Sequence, residues 1–169
     1  MKIAYKLKEL LEEAGATVIL TRADAYGISG LEDATIRQKH RADLRNRVQI
    51  GNESGADIFV SIHMNKIPQT QYRGWQAFFK EGNDQSKNLA HAIQNGMDQT
   101  IDIENKRTPA KISGIYIVDN IRIPITIVEC GFMSNYEELQ LLLTEEHQQR
   151  IAQGIKTGIV EFFAQKQTI

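Results

Sequence analysis

The sequence predicts an α/β domain in three layers, a mixed, mostly parallel twisted sheet between two layers of helices. Three observations carry this reading. Several apolar runs are short and continuous, as in strands covered on both faces. These runs interleave with segments of helical periodicity along the whole chain, rather than falling into separate halves. No linker, repeat or low-complexity tract divides the 169 residues, so residues 1–169 read as one domain.

The elements follow in order. Ile3, Leu7, Leu10, Leu11 and Ala14 recur at helical spacing, and Gly15 ends that pattern as a C′ residue does. Ala16–Thr21 is a β-branched run and reads as a strand. Residues 22–33 carry Gly27 and Gly30 and read as a loop. A helix covers roughly 34–53, with Leu44, Val48 and Ile50 among its apolar positions and Gly55 beyond its end. Ala56–His63 is a second, buried strand, and Trp75–Phe79 is a third. Residues 86–100 form a helix with Leu89, Ala90, Ile93 and Met97 on one face. Ser113–Val118 and Pro124–Glu129 are two further strands. Glu137–Leu143 and Gln148–Phe163 are helical.

Composition narrows the function. The formal net charge is −1, from 20 basic and 21 acidic residues, with no polybasic run. That gives no electrostatic case for nucleic acid or for an anionic membrane surface. No stretch approaches the ~18 apolar residues that a membrane-spanning helix needs. Met1–Lys8 is amphipathic and lacks the apolar centre of a signal peptide. The phosphate-binding Gly-x-x-x-x-Gly-Lys-Ser/Thr pattern is absent. The single cysteine, Cys130, excludes an internal disulfide, and no Cys-x-x-Cys pair is present.

Two polar residues close buried strands. His63 follows the apolar run Ile58–Ile62, and Glu129 follows Ile125–Val128. In open α/β sheets, ligands bind outside the carboxyl ends of the strands. Neutral imidazole is a good metal ligand, and a carboxylate beside activated water can take its proton and pass it on. The structural alternative stays open, because strand-end His and Glu commonly serve as hydrogen-bonded or capping residues. Cys130 beside Glu129 reads as a buried, inert thiol rather than a nucleophile. His40, His91 and His147 lie in charged or amide-rich helical surroundings and read as solvated. Phe78 and Phe79 read as core.

The segment Ala56-Asp-Ile-Phe-Val-Ser-Ile-His-Met-Asn65, followed by Val128-Glu-Cys-Gly-Phe-Met-Ser-Asn135, resembles the zinc-dependent N-acetylmuramoyl-L-alanine amidases. In that family a Ser-Ile-His-x-Asn strand supplies a zinc ligand, and a Val-Glu-x-Gly-Phe-x-Ser-Asn strand supplies the catalytic glutamate. Leu44–Asn52 resembles the helix before the His strand, and Ala152–Ile155 resembles the final helix. Ile67-Pro68, Gly74-x-Gln76-x-Phe78, Ala92-Ile-Gln94 and the stretch from Arg107 through Ala110–Tyr116 resemble the spore germination-specific, CwlD-type branch.

The resemblance implies hydrolysis of the amide between N-acetylmuramic acid and L-alanine in peptidoglycan, in spore-cortex maturation. It implies His63 as a zinc ligand, Glu129 as the base, and Asn65 as a residue facing the substrate or fixing its loop. It further implies an extracytoplasmic site of action and allows an accessory lipoprotein partner.

The match has one departure. The family's first strand, with its His-Gly-Gly, and the Glu of the following helix have no counterpart here, because Lys2–Lys8 resembles the middle of that helix. Two of three zinc ligands are thus expected to be missing. The chain is read as starting late, because this stretch of sequence begins downstream of the natural start, through an internal start codon, or as a truncated gene product. The natural gene is expected to encode a signal or anchor upstream. Weak zinc binding and impaired turnover are expected of the chain as it stands. The rival reading is a non-catalytic peptidoglycan- or partner-binding relic of the same fold.

Overall fold

Ile3, Leu7 and Leu11 form a buried stripe on helix α1 (Lys2–Glu13) in the computed structural model, which describes residues 1–23 and 27–166. The helix ends in a Schellman turn. The Ala16 N–H reaches the Leu11 carbonyl at 3.0 Å and the Gly15 N–H reaches that of Glu12 at 2.9 Å. Helix α2 (Ile36–Glu53) opens at Thr35, which forms a reciprocal capping box with Gln38. Strands β1 (Phe59–Asn65) and β2 (Gln76–Lys80) follow, then α3 (Asp84–Thr100), β3 (Ala110–Ile112), α4 (Tyr116–Asn120), β4 (Ile125–Phe132), α5 (Tyr136–Leu143) and α6 (Glu145–Lys166).

The sheet has four strands in the order β1-β4-β2-β3. β1 and β4 pair in parallel, as do β2 and β3, whereas β2 and β4 are antiparallel. The expected mixed, mostly parallel sheet is therefore present. Central β4 alternates sides, as a strand must. Val128 and Cys130 join a core built with Leu89, Ile93 and Met97 of α3, Ile151 and Ile155 of α6, and the α1 stripe. Ile125 and Ile127 face the other way, against Val48 of α2 and Ile117 and Val118 of α4. Helices thus cover both faces of the sheet.

Two strand expectations fail. Residues 16–20 run without regular structure and join no ladder. A strand needs a hydrogen-bonded neighbour. The outer edge of β1 faces not this segment but an intervening groove of about 1060 Å³, lined in part by Leu7, Val18, Leu20, Val60 and Ile62. The second failure is Ser113–Val118. Gly114, at φ +75°, turns the chain after β3, which lies earlier, at Ala110–Ile112. Tyr116–Asn120 then coils into α4 and places Ile117 and Val118 over the sheet. Burial on a neighbouring surface overrides the β-branched preference of that run.

His147 also departs from expectation. It is only 7% exposed, at the start of α6. Burial, aided by the charge of Arg150, holds its imidazole below the ordinary range. His40 and His91 are exposed, as expected.

Candidate active site

Because β1 and β4 run parallel, their carboxyl ends reach the same edge of the sheet. His63 lies directly opposite Glu129. β2 runs the other way, so its beginning meets that edge and Gln76 also lies opposite Glu129. Residues paired across strands project from the same face. His63, Glu129 and Gln76 therefore stand in a row, on the face that carries α2 and α4.

Glu129 has the unusual environment. Its Oε2 is buried and has no hydrogen-bond partner. Burial raises its pKa above the ordinary carboxyl value. A desolvated carboxyl with an unspent oxygen is suited to accept a proton and return it. His63 keeps an exposed face, and its Nε2 lies 2.9 Å from Ser61 Oγ. Partial burial, then the positive charges of Arg47 and Arg22, hold its pKa below the usual imidazole value. The ring is neutral at neutral pH, the form that can bind a metal.

Arg47 is itself held by Asp43, with Nε at 2.6 Å from Oδ2 and Nη2 at 3.1 Å from Oδ1. Burial works to raise the Asp43 pKa. The bonds from Arg47 and the Ile28 N–H, with the charges of Arg47 and Arg22, outweigh it and keep the carboxyl low.

The register between β1 and β4 slips just past the pair, since Asn65 lies opposite Phe132. Between the two pairs, one residue of β1 thus stands against two of β4, a bulge. Gly131 occupies it at φ +155°, and a Cβ there would meet the Glu138 carboxyl at 3.1 Å. The Asn65 carbonyl accepts the Met133 N–H at 2.8 Å, tying β1 to the turn after β4. Ser134 Oγ accepts the Ile67 N–H at 3.4 Å, and Asn135 Nδ2 donates to the Thr70 carbonyl at 3.0 Å. Ser134 and Asn135 thus fix the loop beside the site. Cys130 is buried, and desolvation pushes its thiol far above its ordinary value, as expected of an inert cysteine.

Three residues that the sequence reading left without a role complete the site. Glu138 braces it. One carboxylate oxygen accepts the Gly74 N–H, the other the Phe132 N–H, each at 2.7 Å. Its sequence signal reads only as a helix-capping pattern, Asn135-x-x-Glu138, and Asn135 does cap α5 through the Glu138 N–H at 3.0 Å. Gln76, quoted above only as part of the branch pattern, is an amide between buried Trp75 and Ala77. Arg107 reaches Gln76, with its Nη1 3.3 Å from Gln76 Oε1.

Among the described residues, no group of three or more His, Cys, Asp or Glu side chains could hold a metal ion. A catalytic zinc takes three protein ligands and a water. His63 supplies one imidazole, so the residues present do not fit a complete zinc centre.

The profile of the N-acetylmuramoyl-L-alanine amidase family matches residues 1–161. The germination-specific N-acetylmuramoyl-L-alanine amidase of Bacillus subtilis is 31% identical over 166 residues, covering 98% of this chain and 70% of the relative. The CwlD amidase of Clostridioides difficile, solved in complex with the GerS lipoprotein, superposes with a TM-score of 0.93. It is 38% identical, over 96% of this chain and 83% of that one. An N-acetylmuramoyl-L-alanine amidase of Clostridium difficile 630 gives 0.82 at 25% identity, over 98% and 82%. With His63 and Glu129 paired across two parallel strands of the fold these enzymes share, the chain belongs to the N-acetylmuramoyl-L-alanine amidase family.

Proposed function

We propose that this chain carries the catalytic fold of a cell-wall hydrolase that cleaves the amide between N-acetylmuramic acid and L-alanine, acting on spore cortex. One observation carries the reading: Glu129, a half-buried acid whose buried Oε2 has no partner among the described residues, stands beside His63 on two parallel strands. Glu129 takes the proton of the attacking water and delivers it to the departing alanine amine. Asn65 borders the substrate through its loop. The similarity to the germination-specific enzyme of Bacillus subtilis supports the cortex assignment, and with it a site of action outside the cytoplasmic membrane. No described helix is long and apolar enough to cross a membrane. The CwlD complex with a lipoprotein supports an accessory partner of the same class.

The family's chemistry depends on zinc, and the described residues do not complete its ligand set. On their own they bind the metal weakly and turn over slowly. That observation alone favours the second reading, a relic that binds peptidoglycan without cleaving it. Glu129 opposes it, because binding has no need of a desolvated acid. The test is digestion of cortex muropeptides by excess protein with zinc present, with new amino groups labelled. Free N-terminal L-alanine at low yield, lost in Glu129→Gln, is expected. Cleavage at another bond, or equal release by the variant, overturns the amidase reading. Binding without release at any zinc concentration establishes the relic.

A further inference from the structure

Arg107 lies at the end of the row His63–Glu129–Gln76, and neither the family match nor the proposed chemistry gives it a task. Its guanidinium stacks 4.5 Å from the centroid of the Phe132 ring and 5.5 Å from that of Tyr72. Nε donates to the Arg73 carbonyl at 3.0 Å and Nη1 to Gln76 Oε1 at 3.3 Å. Both acceptors are neutral. Arg107 forms no ion pair among the described residues. The nearest brace, Glu138, spends its oxygens on the Gly74 and Phe132 N–H groups. Nη2 has no hydrogen-bond partner among the described residues, the bonds of the guanidinium being those of Nε and Nη1. The charge of Arg107 reaches the Glu138 carboxyl and works to lower its pKa, but no carboxylate oxygen among the described residues bonds the guanidinium directly. A fixed guanidinium without a bonded acid is a receptor for a planar anion.

The supports of this residue are rigid. The Arg107 carbonyl accepts from Nε2 of buried Gln94 at 3.3 Å, and Gln94 Oε1 accepts the Ala77 N–H of β2 at 2.9 Å. Asn105 Oδ1 accepts the Arg107 N–H at 3.3 Å, and Asn105 Nδ2 donates to the Trp75 carbonyl at 2.9 Å. The loop bearing Arg107 is therefore locked to the start of β2, and the guanidinium is oriented before any ligand arrives.

We infer that Arg107, held on Phe132 and by Gln76, forms a subsite for a carboxylate of the peptide that leaves with L-alanine. The inference rests on the amidase reading. Glu129 delivers its proton to the alanine amine, so the peptide lies on one side of Glu129 and the sugar on the other. His63 occupies one flank of Glu129, while Gln76 and Arg107 occupy the other. A stem peptide has free carboxylates beyond its first residue, whereas the lactyl and N-acetyl groups of the sugar carry none. The charge therefore assigns the Arg107 flank to the peptide.

The test is calorimetric and does not need turnover. N-acetylmuramoyl-L-alanyl-D-glutamate and its diamide are titrated into the wild type, Arg107→Gln and Arg107→Lys. The wild type is expected to prefer the acid by about tenfold. Arg107→Gln is expected to lose that preference while still binding the diamide, and Arg107→Lys to keep part of it. The ratio is measured within one protein, so a general loss of stability does not imitate the effect. The Arg107 Nε–H NMR resonance of the wild type, followed during both titrations, gives a readout that no variant needs to supply. It is expected to shift with the acid and not with the diamide. Equal affinity of the wild type for both probes, or a preference that survives in Arg107→Gln, overturns the subsite and leaves the amidase reading standing. Failure of both probes to bind the wild type overturns the muramoyl-peptide reading and the subsite with it.

Discussion

Substitution of Gly158 by Ala sets two well-understood effects against each other. In a helix interior, Gly→Ala gains about 1 kcal/mol of intrinsic propensity. The structure forbids that gain at this position. A Cβ at Gly158 would lie 2.4 Å from the Ala92 carbonyl oxygen and 2.4 Å from Ile93 Cα. Both are backbone atoms, so no rotamer change relieves the clash. Gly96 and Gly154 show the same closeness, with a Cβ meeting the Gly154 carbonyl at 2.4 Å and Met97 Cα at 2.7 Å, respectively. The α3 and α6 backbones are therefore in contact along this seam. Ordinary carbon contacts are about 3.5–4.0 Å, so the helices must part by roughly 1 Å. Parting them loosens Leu89, Ile93 and Met97 from Ile151 and Ile155. Overpacking typically costs about 1–3 kcal/mol, and a clash with backbone belongs at or above the top of that range. After the propensity gain, the net loss is about 2 kcal/mol, or a fall in Tm of roughly 4–8 °C for a domain of this size. Urea and thermal unfolding measure it. Unchanged stability, or a rise of about 1 kcal/mol, would show that the helices do not meet at Gly158.

Further outcomes follow from the site. Glu138→Gln replaces a carboxylate that serves two backbone donors with one acceptor and one misplaced donor. It should cost about 1.5–3 kcal/mol in urea unfolding, and a loss under about 0.5 kcal/mol would refute the bracing role. Burial raises the folded pKa of Glu129, so its contribution to stability is present below the ordinary value of 4.5 and is lost as pH rises through the raised value. In metal-free protein, Glu129→Gln and wild type should therefore have similar unfolding midpoints in acid, with the variant the more stable toward neutral pH. Parallel pH profiles would contradict the shift. The neutral His63 has a lowered folded pKa, so its contribution is present above 6.5 and is lost as pH falls through the lowered value. His63→Gln should flatten that part of the profile, and an unchanged acid limb would refute it. Zinc titrated against a chromophoric chelator should bind no tighter than about micromolar, the affinity class expected for an incomplete ligand set, and stoichiometric tight binding would refute that view of the site.

What the sequence disclosed and what it concealed divide along a physical line. His63 and Glu129 were legible because each closes an apolar run, although β1 runs on to Asn65 and β4 to Phe132. The α1 and α3 stripes were legible because helical period is a local property. The strand expected at Ala16–Thr21 failed because a ladder is not local: the run has the composition of a strand but no neighbour to bond. Ser113–Val118 failed because what α4 covers, Ile125 and Ile127, lies beyond it in the chain. Gln76 and Arg107 stood in the sequence as parts of the branch-specific pattern, but their pairing was hidden more deeply. Gln76 joins Glu129 only because β2 runs antiparallel to β4, and Arg107 joins Gln76 only across thirty-one positions of chain. No period or motif encodes that pairing; the fold creates it. If Arg107 reads the leaving peptide, proton transfer at this site is written in two parallel strands, while substrate choice is written in the antiparallel pairing of β2 with β4.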